Sequence, residues 1–293
     1  MKEAMKGDIL PRRIISGVAM TGMTIMIFIL FFLAKESLPL LREASLAKIL
    51  SGGEWYPTYE PPEFGMLPLI AGSLSVTLLS ALLAIPLSLG LAIFLSEACP
   101  RLLREFFKPA LEILGFLPSV VLGFIGMTII APWLQESLDL LTGLNLFNAS
   151  VLMGIMIVPI VASIAEDSLA AVPNDLRDAS YAIGATRWET TTRVVFPAAL
   201  PGILEACLLG IMRAVGETMV VLMAAGGSAV IPKSVFDAVR PLTSTIAAEM
   251  GETPVGSGHY HALFFAGLLL FLFTWAINLF AARIEARGRR WRS

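Results

Sequence analysis

The sequence has few charged residues and lacks the features of a soluble or nucleic-acid-binding protein. Of its 293 residues, only 15% are charged and 56% are hydrophobic, and the mean hydropathy is +0.79. A soluble domain carries about 25% charged residues, and a water-soluble core of this size cannot bury so much apolar surface. The formal net charge of −2 offers no basic face to nucleic acid. The composition therefore excludes a soluble enzyme and indicates an integral membrane protein.

Residues suited to redox, metal or nucleotide chemistry are also scarce. Cys99 and Cys207 lie far apart in apolar surroundings and predict no disulfide framework or metal site. His259 and His261 have no further ligands nearby, so an anchor at the membrane interface fits them better than a metal. The string most like a phosphate-binding loop, GSAVIPKS at 227–234, has proline where the second glycine must be. We therefore expect no cofactor, no metal and no nucleotide hydrolysis by this chain.

Long uncharged runs predict the membrane-spanning segments. A spanning helix needs about 20 apolar residues. We expect an all-α, polytopic fold with spans at about 14–34, 69–95, 113–135, 148–165, 201–225 and 262–282. The first run is longer than the core of a signal peptide and no small-residue cleavage site follows it, so we expect a retained helix. Residues 35–68 then form an extracytoplasmic loop, with Trp55 at the membrane interface.

The positions of the lysines and arginines predict the orientation. With six spans, fifteen of the 21 basic residues fall on the side that holds both termini. Cytoplasmic segments carry the excess of basic residues. We therefore expect a protein of the cytoplasmic membrane with a cytoplasmic tail at 1–13, a cytoplasmic loop at 172–197 and a basic cytoplasmic tail at 283–293.

The cytoplasmic loop at 172–197 is the most informative stretch of the chain. Leu176, Ala179 and Ile183 recur at spacings of three and four, which predicts one apolar stripe on a short helix. Gly184 follows where a helix-ending glycine belongs. A helix this short is not stable in water by itself. It must therefore pack against its own bundle or against a partner.

A second short helix is predicted after Gly184. Thr186 and Glu189 form a T-x-x-E capping box, which is typical of a helix start. Pro197 is expected to interrupt this helix, because proline removes a backbone hydrogen bond. The loop is thus predicted to be a helix, a glycine hinge and a second helix.

The same loop resembles the cytoplasmic signature of permease subunits from ATP-binding-cassette importers. That signature is Glu-Ala-Ala, three residues, Gly, nine residues, then Ile-x-Leu-Pro. This chain has Asp178-Ala179-Ser180, then Gly184, then VVFP at 194–197, all at the same spacing. The resemblance implies the type I importer permease fold and a coupling helix that docks on a separate ATPase. It assigns this coupling role to Asp178, Ala179, Ser180, Ile183 and Gly184.

Other segments are similar to phosphate-importer permeases and are more PstC-like than PstA-like. Residues 213–226 (RAVGETMVVLMAAG) match an Arg-Ala-x-Gly-Glu-Thr-Met signature, and weaker matches lie at 64–74, 117–127 and 256–271. The resemblance implies that the chain forms half of a phosphate pathway. It also implies three partners: an ABC ATPase dimer, a second, PstA-like permease and an extracytoplasmic phosphate-binding protein.

Arg213 and Glu217 are charges within an otherwise apolar span. They are four residues apart and share one helical face. A charge at the bilayer centre costs about 2.5–3.5 kcal/mol, so it usually faces the protein interior or water. Arginine can hold phosphate through two hydrogen bonds, and a nearby carboxylate would keep that hold weak enough for release. We expect Arg213 and Glu217 to line the translocation pathway.

Alternatives to this assignment remain open from the residues. Arg213 and Glu217 could instead neutralise each other and lock the span to its neighbours. The substrate could be another oxyanion, molybdate or sulfate. The chain could also be an ion-coupled secondary transporter in which the pair relays protons or ions. Transport that needs no ATP would distinguish this last function.

Overall fold

The computed structural model describes residues 9–289, and its regular elements are helices apart from two short paired strands. The predicted tails at 1–13 and 283–293 lie in part outside this range. Three π-helical turns, Phe94–Ala98, Gly126–Ile130 and Thr191–Val195, extend or join helices. The elements are α1 (Ile9–Ser37), α2 (Leu40–Glu43), α3 (Leu46–Ser51), β1 (Trp55–Tyr56), β2 (Glu63–Phe64), α4 (Leu67–Ile93), α5 (Arg101–Gly115), α6 (Ser119–Ile125), α7 (Ala131–Leu138), α8 (Leu146–Ala170), α9 (Asn174–Ala182), α10 (Arg187–Thr190), α11 (Phe196–Val215), α12 (Met219–Ala224), α13 (Leu242–Glu249) and α14 (Gly258–Arg289).

Within the described residues, six helical stretches are long and apolar enough to cross a bilayer. This agrees with the expected all-α, six-span fold of a multi-pass membrane protein. The stretches are Ile15–Glu43, Leu67–Ala98, Ser119–Leu138, Leu146–Ala170, Arg187–Val215 and Gly258–Phe280.

Helix α8 lies at the centre of the bundle. It packs along α4 and α11, and 61% of its apolar stretch is buried, whereas the value for α1 is 0%. A Cβ at Gly210 of α11 would lie 2.5 Å from Val161 and 2.9 Å from Ile157 on α8. Only a residue as small as glycine permits this close approach, which is how helices without a hydrophobic driving force pack in membranes.

The third span begins later than the expected 113–135. Residues up to Gly115 belong to α5, and the apolar stretch starts at Ser119, after Pro118. Proline restricts the residue before it and tends to end the preceding helix. Helix α5 is amphipathic, and its apolar side chains Leu102, Phe106 and Ile113 are exposed.

The fifth span is also divided differently from the expected 201–225. Helix α11 ends at Val215, and α12 starts separately at Met219. The expectation that Pro197 interrupts the preceding helix is wrong. A π-helical turn, Thr191–Val195, lies just before the proline, and the apolar stretch runs unbroken from Arg187 to Val215.

Candidate translocation and coupling sites

Arg213 and Glu217 are joined by a salt bridge where α11 ends. Arg213 Nη1 donates to Glu217 Oε2 at 2.7 Å. The arginine side chain is 42% exposed and the glutamate side chain only 5%. A guanidinium has five N–H donors, and within residues 9–289 Arg213 makes this one hydrogen bond. The remaining donors can therefore bind an anion.

Glu217 also links three helices. Its Oε1 accepts the backbone N–H groups of Met219 at 3.1 Å and Val220 at 3.4 Å, which open α12. Thr243 on α13 donates its hydroxyl to the Glu217 backbone oxygen at 2.7 Å. The first N–H groups of a helix need such acceptors. The carboxylate that pairs with Arg213 is thus held in place, and Glu217 ties the end of α11 to its neighbours, as the alternative of a locked span expects.

The loop at 172–197 contains the predicted helix-ending glycine and the predicted capping box. Helix α9 ends at Ala182, and Gly184 adopts a φ of +88°, a left-handed conformation that costs glycine little. At the start of α10, the Glu189 carboxylate accepts the Thr186 N–H at 2.9 Å, and Thr186 Oγ1 accepts the Glu189 N–H at 3.3 Å.

No other part of residues 9–289 covers the apolar stripe of α9. Leu176 is 45% exposed and Ile183 is 87% exposed, and Ala179 between them is also exposed. Trp188 on α10 is 68% exposed beyond the glycine hinge. Within residues 9–289, the apolar stripe of α9 is therefore not buried against the protein's own bundle.

The remaining predicted coupling residues divide between surface and interior. Asp178 and Gly184 are exposed, whereas Ser180 is buried, with its hydroxyl 2.9 Å from Thr190 Oγ1. The small size of Ser180 lets α9 and α10 lie together, and its hydroxyl finds a partner there. Ser180 therefore stabilises the loop from inside, while the other four predicted residues lie on its surface.

A buried charge network that sequence reasoning missed joins α5 to α8; we call it the Glu166 network. Glu166 is fully buried, and its carboxylate accepts from Arg104 Nη2 and from Lys108 Nζ at 2.8 Å. Lys108 also donates to Asp167. Burial lowers the pKa of Lys108, but its hydrogen bonds to Asp167 and Glu166 outweigh this and raise the pKa. In the sequence, the four-residue spacing that places Arg104 and Lys108 on one helical face could have indicated this network.

A second unforeseen group, the Glu249 cluster, lines a cavity of about 530 Å³ together with β1 and residues 227–230. Glu249 accepts from Arg240 Nη1 at 2.5 Å and Trp55 Nε1 at 3.1 Å, and pairs with His259 Nε2 at 2.8 Å. Trp55 is 3% exposed, and Glu249 accepts its indole N–H inside the protein. Its expected place at the membrane interface stays a prediction. His259 is likewise engaged by Glu249.

Across residues 9–289, no group of three or more His, Cys, Asp or Glu residues suits a metal ion.

The architecture matches that of ABC importer permeases of known structure. A chain of the MetNI methionine ABC transporter in inward-facing conformations aligns with a TM-score of 0.59 at 20% identity, covering 79% of this chain and 99% of that chain. A chain of a bacterial ABC transporter involved in import of the acidic polysaccharide alginate gives a TM-score of 0.60 at 15% identity, covering 97% and 99%. These likenesses show the fold.

Three proteins related in sequence share a higher identity with this chain than the two solved structures do. The probable ABC transporter permease protein YqgH of Bacillus subtilis is 37% identical, over 95% of this chain and 91% of that protein. The phosphate transport system permease protein PstC of Mesorhizobium japonicum is 35% identical, over 81% and 79%. The corresponding PstC of Pasteurella multocida is 34% identical, over 81% and 80%.

The family assignment rests on the greater part of the chain. Residues 84–290 match the family described as the binding-protein-dependent transport system inner membrane component. That range includes the loop at 172–197 and the span with Arg213, on which the resemblance in sequence was based. The chain belongs to this family of importer permease subunits, in which ATP hydrolysis takes place on a separate ATPase.

Proposed function

We propose that the chain is a permease subunit of an ATP-driven phosphate importer and forms half of the pathway across the cytoplasmic membrane. The observation that carries the proposal is the exposed guanidinium of Arg213 at the end of a span, paired with the buried Glu217. The planar fork of arginine suits the oxygens of phosphate. The names of the PstC relatives support the same substrate.

The proposal includes the partners and the orientation. The chain pairs with a second, PstA-like permease, binds an ABC ATPase dimer at the exposed stripe of α9, and receives phosphate from an extracytoplasmic binding protein. Both termini are cytoplasmic. Asp178, Ala179 and Ile183 contact the ATPase, Ser180 holds the loop together, and Gly184 is its hinge. The exposed stripe supports this docking mode because no part of residues 9–289 buries it.

Phosphate uptake by proteoliposomes that contain the complete complex tests the role of Arg213. In Arg213→Gln the side chain stays polar but loses the charge that attracts phosphate. Uptake should fall to background while the subunits still co-purify and ATPase activity stays measurable. Arg42→Gln, at an exposed position outside the proposed pathway, is the control and should transport normally. Normal uptake by Arg213→Gln would end the proposed role.

The substrate and the energy source are tested in the same vesicles. Excess molybdate or sulfate should leave phosphate uptake unchanged, and competition by either would assign a different oxyanion. Uptake should require ATP. Uptake driven by a proton gradient without ATP would indicate an ion-coupled carrier instead.

A further inference from the structure

Arg177 of α9 binds the end of α8. Its Nη2 donates to the backbone oxygen of Leu169 in the last turn of α8 at 3.0 Å, and its Nη1 donates to the backbone oxygen of Val172, just after that helix. The last carbonyls of a helix lack intrahelical partners, and the helix dipole favours a cation beside them. Arg177 thus anchors α9 to the helix at the centre of the bundle.

The same guanidinium binds the end of α4. Arg177 Nη2 donates to Glu97 Oε1 at 2.8 Å, and the Ser96 hydroxyl donates to that carboxylate at 3.1 Å. Glu97 lies in the π-helical turn Phe94–Ala98 that extends α4. Both members of the pair are only 14% exposed. One side chain therefore joins α9 to α8 and α4, which pack along each other.

The other contacts of α9 described above lie within its own loop. Ser180 bonds to Thr190, and the stripe with Leu176 and Ile183 faces outward. Apolar surfaces can slide past each other, whereas a shielded guanidinium with three acceptors resists separation, because each charge-assisted hydrogen bond needs a fixed geometry. A displacement of α9 therefore pulls on the ends of α4 and α8 through Arg177.

We propose that Arg177 is a positioning residue that transmits the movement of α9 to α4 and α8, through Glu97 and the terminal carbonyls of α8. This rests on the proposed function, in which an ATPase moves α9. Loss of the link leaves nucleotide hydrolysis intact but separates it from transport. The quantity that reports the link is therefore the phosphate transported per ATP hydrolysed.

The experiment uses the complete complex with its binding protein in proteoliposomes. In Arg177→Gln, phosphate transported per ATP should fall about tenfold, as expected for a typical coupling free energy between sites, while the ATPase stays bound and active. Glu97→Gln should cause a smaller fall, because the two carbonyl bonds remain. Arg177→Lys should restore part of the ratio, because a lysine keeps the charge but lacks the fork. Arg193→Gln, an exposed change in the same loop, is the control and should keep the wild-type ratio.

Three results would overturn the proposal: an unchanged ratio in Arg177→Gln, loss of the ATPase from the purified variant, or a parallel fall of uptake and hydrolysis that preserves the ratio. Failure of the proposed function has a different signature, which is visible in the wild type. Wild-type transport of another oxyanion would change the substrate, and the ratio would be measured with that anion. Wild-type transport without ATP would end both proposals.

Discussion

At the scale of single residues, Arg213 and Glu217 form an ion pair whose two side chains differ in burial and in their contacts. Glu217 is buried and fixed by the N–H groups of Met219 and Val220, whereas Arg213 keeps exposed donors. A fixed carboxylate beside a partly exposed guanidinium offsets part of its charge. Under the proposed function, the site then attracts an anion without binding it too tightly for transport.

Two substitutions at Glu217 separate its role as the countercharge of Arg213 from its role as the acceptor for the start of α12. In Glu217→Gln the amide oxygen still accepts from the start of α12, but Arg213 loses its countercharge. This variant should fold normally, bind phosphate more tightly and turn over more slowly, so both KM and the maximal uptake rate should fall. Glu217→Ala also loses the acceptor and should lose about 1–2 kcal/mol of stability, as for other helix N-terminal caps.

Uptake kinetics and thermal unfolding in detergent measure the two effects. Equal unfolding temperatures for Glu217→Gln and Glu217→Ala would contradict the capping role. An unchanged KM in Glu217→Gln would contradict the role of the countercharge.

At the scale of elements, α9 presents an apolar stripe that is unusual for a helix in water. Ile183 is the most exposed member of that stripe, at 87%. Buried apolar anchors at interfaces often contribute about 2 kcal/mol or more, and a charge placed there has to be desolvated. Ile183→Asp should therefore release the ATPase from the purified complex.

Leu141 provides the matched control for Ile183. It is fully exposed in the segment between α7 and α8, on the face opposite the proposed ATPase site. Leu141→Asp makes the same chemical change and should retain the ATPase. Retention of the ATPase by Ile183→Asp would argue against docking through this stripe.

The Glu166 network predicts a non-additive loss of stability. Arg104→Met or Lys108→Met alone leaves Glu166 one cationic partner. The double variant leaves a buried carboxylate without either cation, which costs about 3–5 kcal/mol in comparable pairs. Adding Glu166→Gln should recover part of this loss by removing the unpaired charge. Thermal unfolding in detergent measures the series, and small additive losses would contradict a shared buried partner.

At the scale of the whole molecule, the orientation is a further prediction. Leu141 and Ile183 are both highly exposed, so a cysteine at either position is accessible to reagent when the chain is produced without its ATPase. In a chain whose two native cysteines are replaced by alanine, Leu141→Cys should react with a membrane-impermeant maleimide in intact cells. Ile183→Cys should react only after the cells are permeabilised, because the proposed orientation places the basic loops inside. Labelling of Ile183→Cys in intact cells would reverse the topology.

Much of the molecule was predictable because it depends on residues that are near each other in the chain. The six apolar stretches follow from hydropathy. The capping box of Thr186 and Glu189 and the hinge at Gly184 follow from local spacing. The ion pair of Arg213 and Glu217 follows from the helical period. In each case the interacting residues lie within a few positions of each other, so the interaction depends little on how the helices pack.

Other features were decided by the tertiary structure because their partners are distant in the chain. Arg177 and Glu97 are 80 residues apart, and Trp55 and Glu249 are 194 apart. No local pattern pairs such residues; they meet because the helices that hold them pack together and a buried charge or N–H needs a partner. Short-range chemistry therefore determined the spans and the loop signature, and packing determined how the charges connect them.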